Sequence, residues 1–263
     1  MKRLIYQVYT GKRLRLYDAC VKSVEEYCAA HDIEHIVQRV PKLKIKPDVF
    51  ATNRSPESYR KYGGFLPIYE KENAFDLWDQ YDQIAIIDAD IWIRPGSPNI
   101  FESLDPETDF AGVVEADLPI LPWYKQKIAN YSRMQYGSLK IDWDPRYLDD
   151  VGFPFMNMGM MLMNKSIAKY LEGQTAKEFL ERQEFKMFVD GLGPWKWSTD
   201  QTLLNYWIRK ERMNIQKLDW KWNCLYKTVS DEHLKESYFV HFFLKDHLPN
   251  KGEDVEELMW MVT

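Results

Sequence analysis

Cysteine is scarce in this chain and poorly placed for most of its uses. Cys20, Cys28 and Cys224 have no metal-like spacing. An odd count without a secretory apolar region predicts free thiols in a reducing compartment, which makes the cytoplasm the expected location. Long apolar runs are missing too. The most apolar stretch, Val151 to Met163, is 13 residues long and contains Asn157. That is well short of the roughly 20 residues needed to cross a bilayer, so no transmembrane segment is expected. Internal repeats, low-complexity tracts and a Gly-rich amino-terminal phosphate loop are all absent. With 45% apolar and 29% charged residues, 12 Gly and 13 Pro, collagen-like and wholly disordered readings fail. Neither sign of charge dominates: the net charge is -5, although residues 1–61 hold 13 Lys/Arg against 7 Asp/Glu. This balance excludes a dedicated nucleic-acid binder and leaves a local anion site or a solvated basic surface.

What is present is an ordinary globular composition with one excess. At 263 residues the chain is long enough for a sizeable core and for one or two domains. Aromatic residues make up 15% of it, with 10 Trp and 16 Tyr, rings that serve both cores and the walls of ligand pockets. Short β-rich apolar runs alternate with helical spacing, the pattern of a layered α/β protein, and one compact domain is expected. Strands are predicted at Leu4–Tyr9, Ile33–Val40, Ile84–Ile87, Phe110–Val114, Met158–Met163 and Tyr238–Phe243. Helices are predicted at Tyr17–His31, Ile68–Gln80, Lys165–Leu171, Ala176–Phe188 and Thr199–Arg212, with a short one in the acidic tail after Gly252. Lys42, Lys44 and Lys46 alternate with Leu43 and Ile45, as in a charge-protected edge strand. Residues 47–66 carry the turn signals of a loop, and residues 115–153 read as a long functional connection.

The sharpest feature is the run Ile84-Ala85-Ile86-Ile87-Asp88-Ala89-Asp90. A continuous apolar run fits a strand buried on both faces of a largely parallel sheet, whose carboxyl end is a natural ligand position. In an extended chain Asp88 and Asp90 point to the same side. Two hard oxygen donors there suit Mg²⁺ or Mn²⁺ held together with a substrate's phosphates. Taken alone, a D-x-D more often ends a strand and caps a turn. Asn157 stands in a strand of Met, Phe and Gly, where its amide must find partners; a sugar hydroxyl is one candidate. Gly159 allows either close approach of a ligand or a β-bulge. Asp200 and Gln201 fall at a helix start, where Ser198 and Gln201 have capping-box spacing and Asp200 complements the helix dipole. His241 is either a core histidine between Val240 and Phe242 or a third ligand, since an imidazole beside two carboxylates suits Mn²⁺ better than Ca²⁺.

In combination these blocks point to a family. Residues 83–104, QIAIIDADIWIRPGSPNIFESL, resemble the D-x-D segment of glycosyltransferase family 8, the glycogenin-like retaining transferases of GT-A fold. Phe155-Met156-Asn157-Met158-Gly159 resembles the family's F-N-x-G strand, and Asp200-Gln201-Thr202-Leu203-Leu204-Asn205 its D-Q-x-x-L-N helix start. Trp222-Asn223 and Val240-His241-Phe242 resemble two later blocks, in the family's order. The resemblance spans roughly residues 3–250. It implies a GT-A fold, a Rossmann-like, mostly parallel sheet flanked by helices. The nucleotide-binding half would be residues 1–114, the donor-sugar and acceptor half residues 115–250, and the tail residues 251–263. It also implies Asp88, Asp90 and His241 as metal ligands, with Ala89 between them at the donor. Asn157, Gly159, Asp200 and Gln201 would face the donor sugar, and Thr10 the uridine. Lys71 is one position from the family's lysine, where Glu72 falls. Lys245 is a diphosphate ligand with His247 and Lys251 as rivals, because Leu244 stands where the family has glycine. Leu14 falls at the position of the stacking tyrosine, for which Tyr17 substitutes only with a longer loop.

The activity so implied is transfer of a hexose, glucose or galactose, from a UDP-sugar to a hydroxyl acceptor with retention of configuration. Mn²⁺ is the expected cofactor and Mg²⁺ the alternative. The acceptor, whether glycan, lipid, protein or small molecule, is left open, as is the oligomeric state. Trp195 and Trp197, ahead of Asp200, are the aromatic residues expected to pack on an acceptor sugar. Two other readings stay open: a sugar nucleotidyltransferase, which the missing Gly-rich loop disfavours, and a non-catalytic carbohydrate-binding module.

Overall fold

The computed structural model describes residues 1–10, 13–40, 67–140 and 152–263. Its first apolar run is strand β1 (Arg3–Thr10), and helix Arg15–His31 returns the chain so that β2 (Glu34–Val40) lies parallel to it. Parallel neighbours require such a crossover. The helix buries Leu16, Cys20, Val24, Tyr27 and Cys28, one stripe at helical spacing. It stops at Asp32, whose left-handed φ of 54° brings its N–H to the Cys28 carbonyl. Strands β3 (Gln83–Ile87), β4 (Ile91–Ile93), β5 (Phe110–Val114), β6 (Met156–Asn164), β7 (Ile215–Lys217), β8 (Cys224–Leu225) and β9 (Phe239–His241) complete two sheets, ordered β2-β1-β3-β6-β5-β7 and β4-β9-β8. In the larger sheet β6 runs antiparallel to β3 and β5, while the other pairings are parallel.

Alternation along the strands builds a core on each face of this sheet. Leu4 and Tyr6 of β1 with Ile84 and Ile86 of β3 enter one core, and Ile5, Ala85 and Ile87 enter the other. Every residue of β3 and β6 is buried, which is why Ile84–Ile87 of β3 reads as an unbroken apolar run, whereas β6 carries Asn157 and Asn164 among its methionines. The smaller sheet packs Trp92, Cys224, Val240 and Phe242 against Leu16 and Cys20 of the first helix and against helix Val255–Val262. Cys20, Cys28 and Cys224 are buried and free. No helix among the described residues is long and apolar enough to cross a membrane.

Several elements depart from expectation. Pro67–Leu77 is a 3₁₀ helix, not an α-helix; residues 69–75 are all buried, so its winding is set by the surrounding contacts and not by local spacing. The predicted helix Ala176–Phe188 breaks at Arg182, which turns back to donate to Gln174 Oε1 and the Tyr170 carbonyl; Lys186–Val189 restarts it. The supposed connection 115–153 contains helix Pro122–Tyr136, opened by its proline and burying Tyr124, Ile128, Ser132 and Gln135 on one face. Lys42, Lys44, Lys46 and the loop at 47–66 lie outside the described residues.

Candidate active site

Strand β6 slips phase in its middle. Met156 and Met158 enter the same core as Met161 and Met163, so the two-residue alternation shifts by one between them. Across the pairing with β5 the register jumps from Gly112↔Met161 to Val113↔Asn157. This is a β-bulge, and it frees backbone groups that a regular ladder would consume. Met158 N–H donates to Gln201 Oε1 at 3.2 Å, and the Met158 carbonyl accepts from Lys71 Nζ at 2.8 Å. Gly159 N–H donates to Asn157 Oδ1 at 2.9 Å, and its carbonyl accepts from Asp88 N–H at 2.8 Å. Gly159 also makes room for an imidazole, since a Cβ built on it would lie 2.2 Å from His241 Cε1.

Asp88 and Asp90 converge through a turn, not along an extended strand as expected. Ile91 N–H donates to the Asp88 carbonyl at 3.1 Å, and Phe242 N–H to the Asp90 carbonyl at 2.9 Å, tying the turn to the end of β9. One ligand atom each from Asp88, Asp90 and His241 lies within 4.8 Å of the others. His241 Nε2 is 3.3 Å from Asp90 Oδ1 and 3.7 Å from Asp88 Oδ2. Burial lowers the His241 pKa, but the carboxylates of Asp90 and Asp88 raise it further, and the balance lies above the ordinary histidine value. Three groups of this kind at one point suit a divalent cation with mixed oxygen and nitrogen ligands.

Behind the triad sits a buried cation. Lys71 Nζ is 2.8 Å from Asp88 Oδ1 and 2.7 Å from Asp200 Oδ2, and its side chain is 5% exposed. Burial works against its charge, but Asp200, Asp88 and Glu72 together hold its pKa above the ordinary value. Asp88 is pushed up to about 6, chiefly by burial, with Lys71 opposing. Burial likewise raises Asp200 against the pull of Lys71. Glu72 is wholly buried, neither carboxylate oxygen has a hydrogen-bond partner, and burial followed by Asp200 drives its pKa well up. Both candidate lysine positions therefore belong to this group, one as a cation and the other as a carboxyl whose charge is opposed by burial.

The helix that carries Asp200 and Gln201 is capped by Thr199, whose side chain accepts from Gln201 N–H at 3.3 Å. The expected cap Ser198 instead donates to the Phe188 carbonyl at 2.6 Å, since its side chain faces the core. A true capping box, Thr175 with Glu178, stands earlier in the chain and has the same legible spacing.

A cleft of about 1220 Å³ opens in front of these groups. Thr10, Lys71, Asp88, Ala89, Asp90 and Lys245 line it, together with Leu14, Tyr17, Lys127 and His247. Asn157, Gly159, Asp200 and His241 lie in the wall behind, each nearly or wholly buried or backed by the bulge. Lys245 Nζ lies 4.2 Å from the centre of the Tyr17 ring, and burial lowers its pKa. Lys251 pairs instead with Asp246 at 3.6 Å. Trp197 is 57% exposed, whereas Trp195 turns inward to donate to the Gln135 carbonyl at 2.9 Å. Lys127 and Glu115 are not legible as site residues, although Glu115 stands just beyond the carboxyl end of β5; Glu72 is legible only as the position where the family's lysine falls.

No family model matches the chain, and no curated protein matches it. Solved structures do. Over 98% of its length the chain superposes on the whole of a glycosyltransferase involved in glycosylation of the major capsid of PBCV-1, at 16% identity and a TM-score of 0.58. It covers 95% of the galactosyltransferase LgtC in complex with donor and acceptor sugar analogues over 98% of its own length, at 13% identity and a TM-score of 0.54. Over 95% of its length it covers all of apo mouse xyloside xylosyltransferase 1, at 15% identity and a TM-score of 0.50. At these identities the likeness shows the fold: the chain has a GT-A fold.

Proposed function

We propose that the chain is a retaining glycosyltransferase, similar to family 8, that moves a hexose, glucose or galactose, from a UDP-sugar to a hydroxyl acceptor with Mn²⁺ as cofactor. The observation that carries this reading is the meeting of Asp88 and Asp90, which line the cleft, with His241 in the wall behind them and the buried Lys71 against Asp88. Two carboxylates and an imidazole nitrogen are the donor set for such an ion, and the cleft can hold a nucleotide diphosphate sugar. When bound, the ion offsets the charge of the departing diphosphate.

The protein's own groups supply the remainder. Lys71 holds Asp88 and Asp200 in place and keeps a positive charge next to the leaving group, where fixed charge is most effective. Lys245, which lines the same cleft, reaches the diphosphate by leaving the Tyr17 ring it now covers, and Thr10, also in the lining, meets the uridine. Asp200 and Gln201 stand toward the sugar, on the rigid start of a helix whose Asn205 bonds both backbone groups of Met156. The leaving phosphate accepts the acceptor's proton, so attack from the same face needs no carboxylate base.

Calorimetric titration of UDP with Mn²⁺, then with chelator, tests the reading, with Asp90→Ala as control. Binding that needs Mn²⁺ and is lost in the variant is the expected result, followed by sugar release from UDP-glucose or UDP-galactose. Absence of binding by any nucleoside diphosphate would overturn it. Pyrophosphate release from a nucleoside triphosphate would mark a nucleotidyltransferase instead, and donor binding without turnover a non-catalytic module.

A further inference from the structure

The imidazole of His241 is gripped from behind by a chain of amides, and the order of these amides decides where the ring keeps its proton. The chain starts at Gly159 N–H, which donates to Asn157 Oδ1 at 2.9 Å. A backbone N–H can only donate, so this contact fixes which end of the Asn157 amide faces the bulge. The same oxygen meets Asn223 Nδ2 at 2.9 Å, and an oxygen that only accepts requires a donor there. Asn223 is thereby oriented, and its own oxygen faces His241 Nδ1 at 3.1 Å. A carboxamide oxygen has no proton to offer. Nδ1 must carry the proton, and Nε2, facing Asp90 and Asp88, is the nitrogen left free to accept.

The far end of the chain is closed. Asn157 Nδ2 donates to Glu115 Oε1 at 3.3 Å, and Tyr124 OH donates to the same oxygen at 2.7 Å. Asn223 is wholly buried, Glu115 is 3% exposed and Asn157 6%, so these bonds lie away from bulk solvent. Two carboxylates beside Nε2 would by themselves draw the ring proton to that nitrogen. The amide chain opposes them, an arrangement that gains only when a cation stands between imidazole and carboxylates. Groups behind a ligating histidine orient it and tune the ion it holds.

We propose that Asn223 and Asn157, aligned by the Gly159 amide and anchored by Glu115, are positioning residues that hold the proton on His241 Nδ1 and aim Nε2 at the metal site. They thereby set its preference for a nitrogen-accepting divalent ion over Ca²⁺. The ion preference rests on the metal reading of Asp88, Asp90 and His241; the tautomer assignment does not.

Two measurements on the full chain test this. In the ion-free protein labelled with ¹⁵N-histidine, at a pH where the ring is neutral, the His241 resonances, assigned by loss in His241→Gln, should show Nδ1 protonated and Nε2 unprotonated. A proton on Nε2 overturns the proposal. Titration with Mn²⁺ and Ca²⁺ then compares wild type, Asn223→Asp, which keeps an accepting oxygen against Nδ1, and Asn223→Leu, which removes it. The leucine variant should lose about 10- to 100-fold in Mn²⁺ affinity, with a smaller loss for Ca²⁺, and the aspartate variant should stay within a few-fold of wild type. Wild-type Mn²⁺ affinity in a folded leucine variant overturns the proposal. If that variant does not fold, loss of Mn²⁺ over Ca²⁺ preference in Asn157→Leu is the supporting result and its retention the opposing one. A wild-type protein with the expected tautomer that binds no divalent ion sinks the metal reading and the ion preference with it, while the positioning of His241 stands.

Discussion

Gly159 and His241 share one volume: the space a side chain would occupy at Gly159 is filled by the imidazole, with Nδ1 2.5 Å and Cε1 2.2 Å from the Cβ position. The glycine is needed for the room it leaves. Gly159→Ala should therefore push His241 off the triad. Overpacking of this kind costs about 1 to 3 kcal/mol of stability, whereas Mn²⁺ binding should fall at least about tenfold, the lower end for displaced ligand support. Thermal unfolding and ion titration on the same variant separate the two effects. Unchanged ion affinity would mean that His241 is not a ligand.

Lys71 links the metal side of the site to the Asp200 helix. Lys71→Met leaves Asp88 and Asp200 as buried carboxylates without their shared cation, a change that typically costs about 3 to 5 kcal/mol. Without the lysine both carboxyls titrate higher in the folded state than in the unfolded one, so the folded protein binds the extra protons. The loss should be larger at pH 7 than at pH 5, read from urea unfolding at the two values. An equal loss at both would place the contribution of Lys71 in packing alone.

Asp88 titrates at about 6 in the ion-free protein because burial outweighs Lys71. An unfolded aspartate titrates near 3.9. Between these values the folded state holds a proton that the unfolded state has released. Ion-free stability should therefore fall from about pH 4 to about pH 6, and keep falling above the ordinary histidine range as the raised pKa of His241 is passed. A ligating carboxylate must be ionised and a ligating imidazole neutral, so Mn²⁺ affinity should rise over the upper part of this range and keep rising until the raised pKa of His241 is passed. Ion titrations from pH 5 to pH 8 check this, and a flat profile would mean that Asp88 is not a ligand.

How far the sequence could be read depends on where each signal lies. Strand β3 and its terminal aspartates were legible because burial on both faces makes a continuous apolar run. Helix Arg15–His31 was legible because its stripe is regular. Helix Pro122–Tyr136 was not, since its buried face consists of Tyr, Ser and Gln as much as Ile, and the surrounding Pro and Trp read as loop. Ser198 and Thr199 are not distinguishable as caps from the sequence, because spacing cannot tell which hydroxyl faces the helix and which faces the core.

By itself the sequence determined the α/β alternation, the strand buried on both faces with carboxylates at its carboxyl end, and the order of blocks that resemble family 8. These follow from local periodicity and from residue type. Only the tertiary structure decided that Lys71 is the cation between Asp88 and Asp200, that Glu72 is an unpaired acid, and that the phase slip in β6 turns Met158 and Gly159 into the frame of the site. It alone shows which nitrogen of His241 faces the carboxylates. Each of these is a contact between residues far apart in the chain, set by how β3, β6 and β9 pack together, and no local pattern records it.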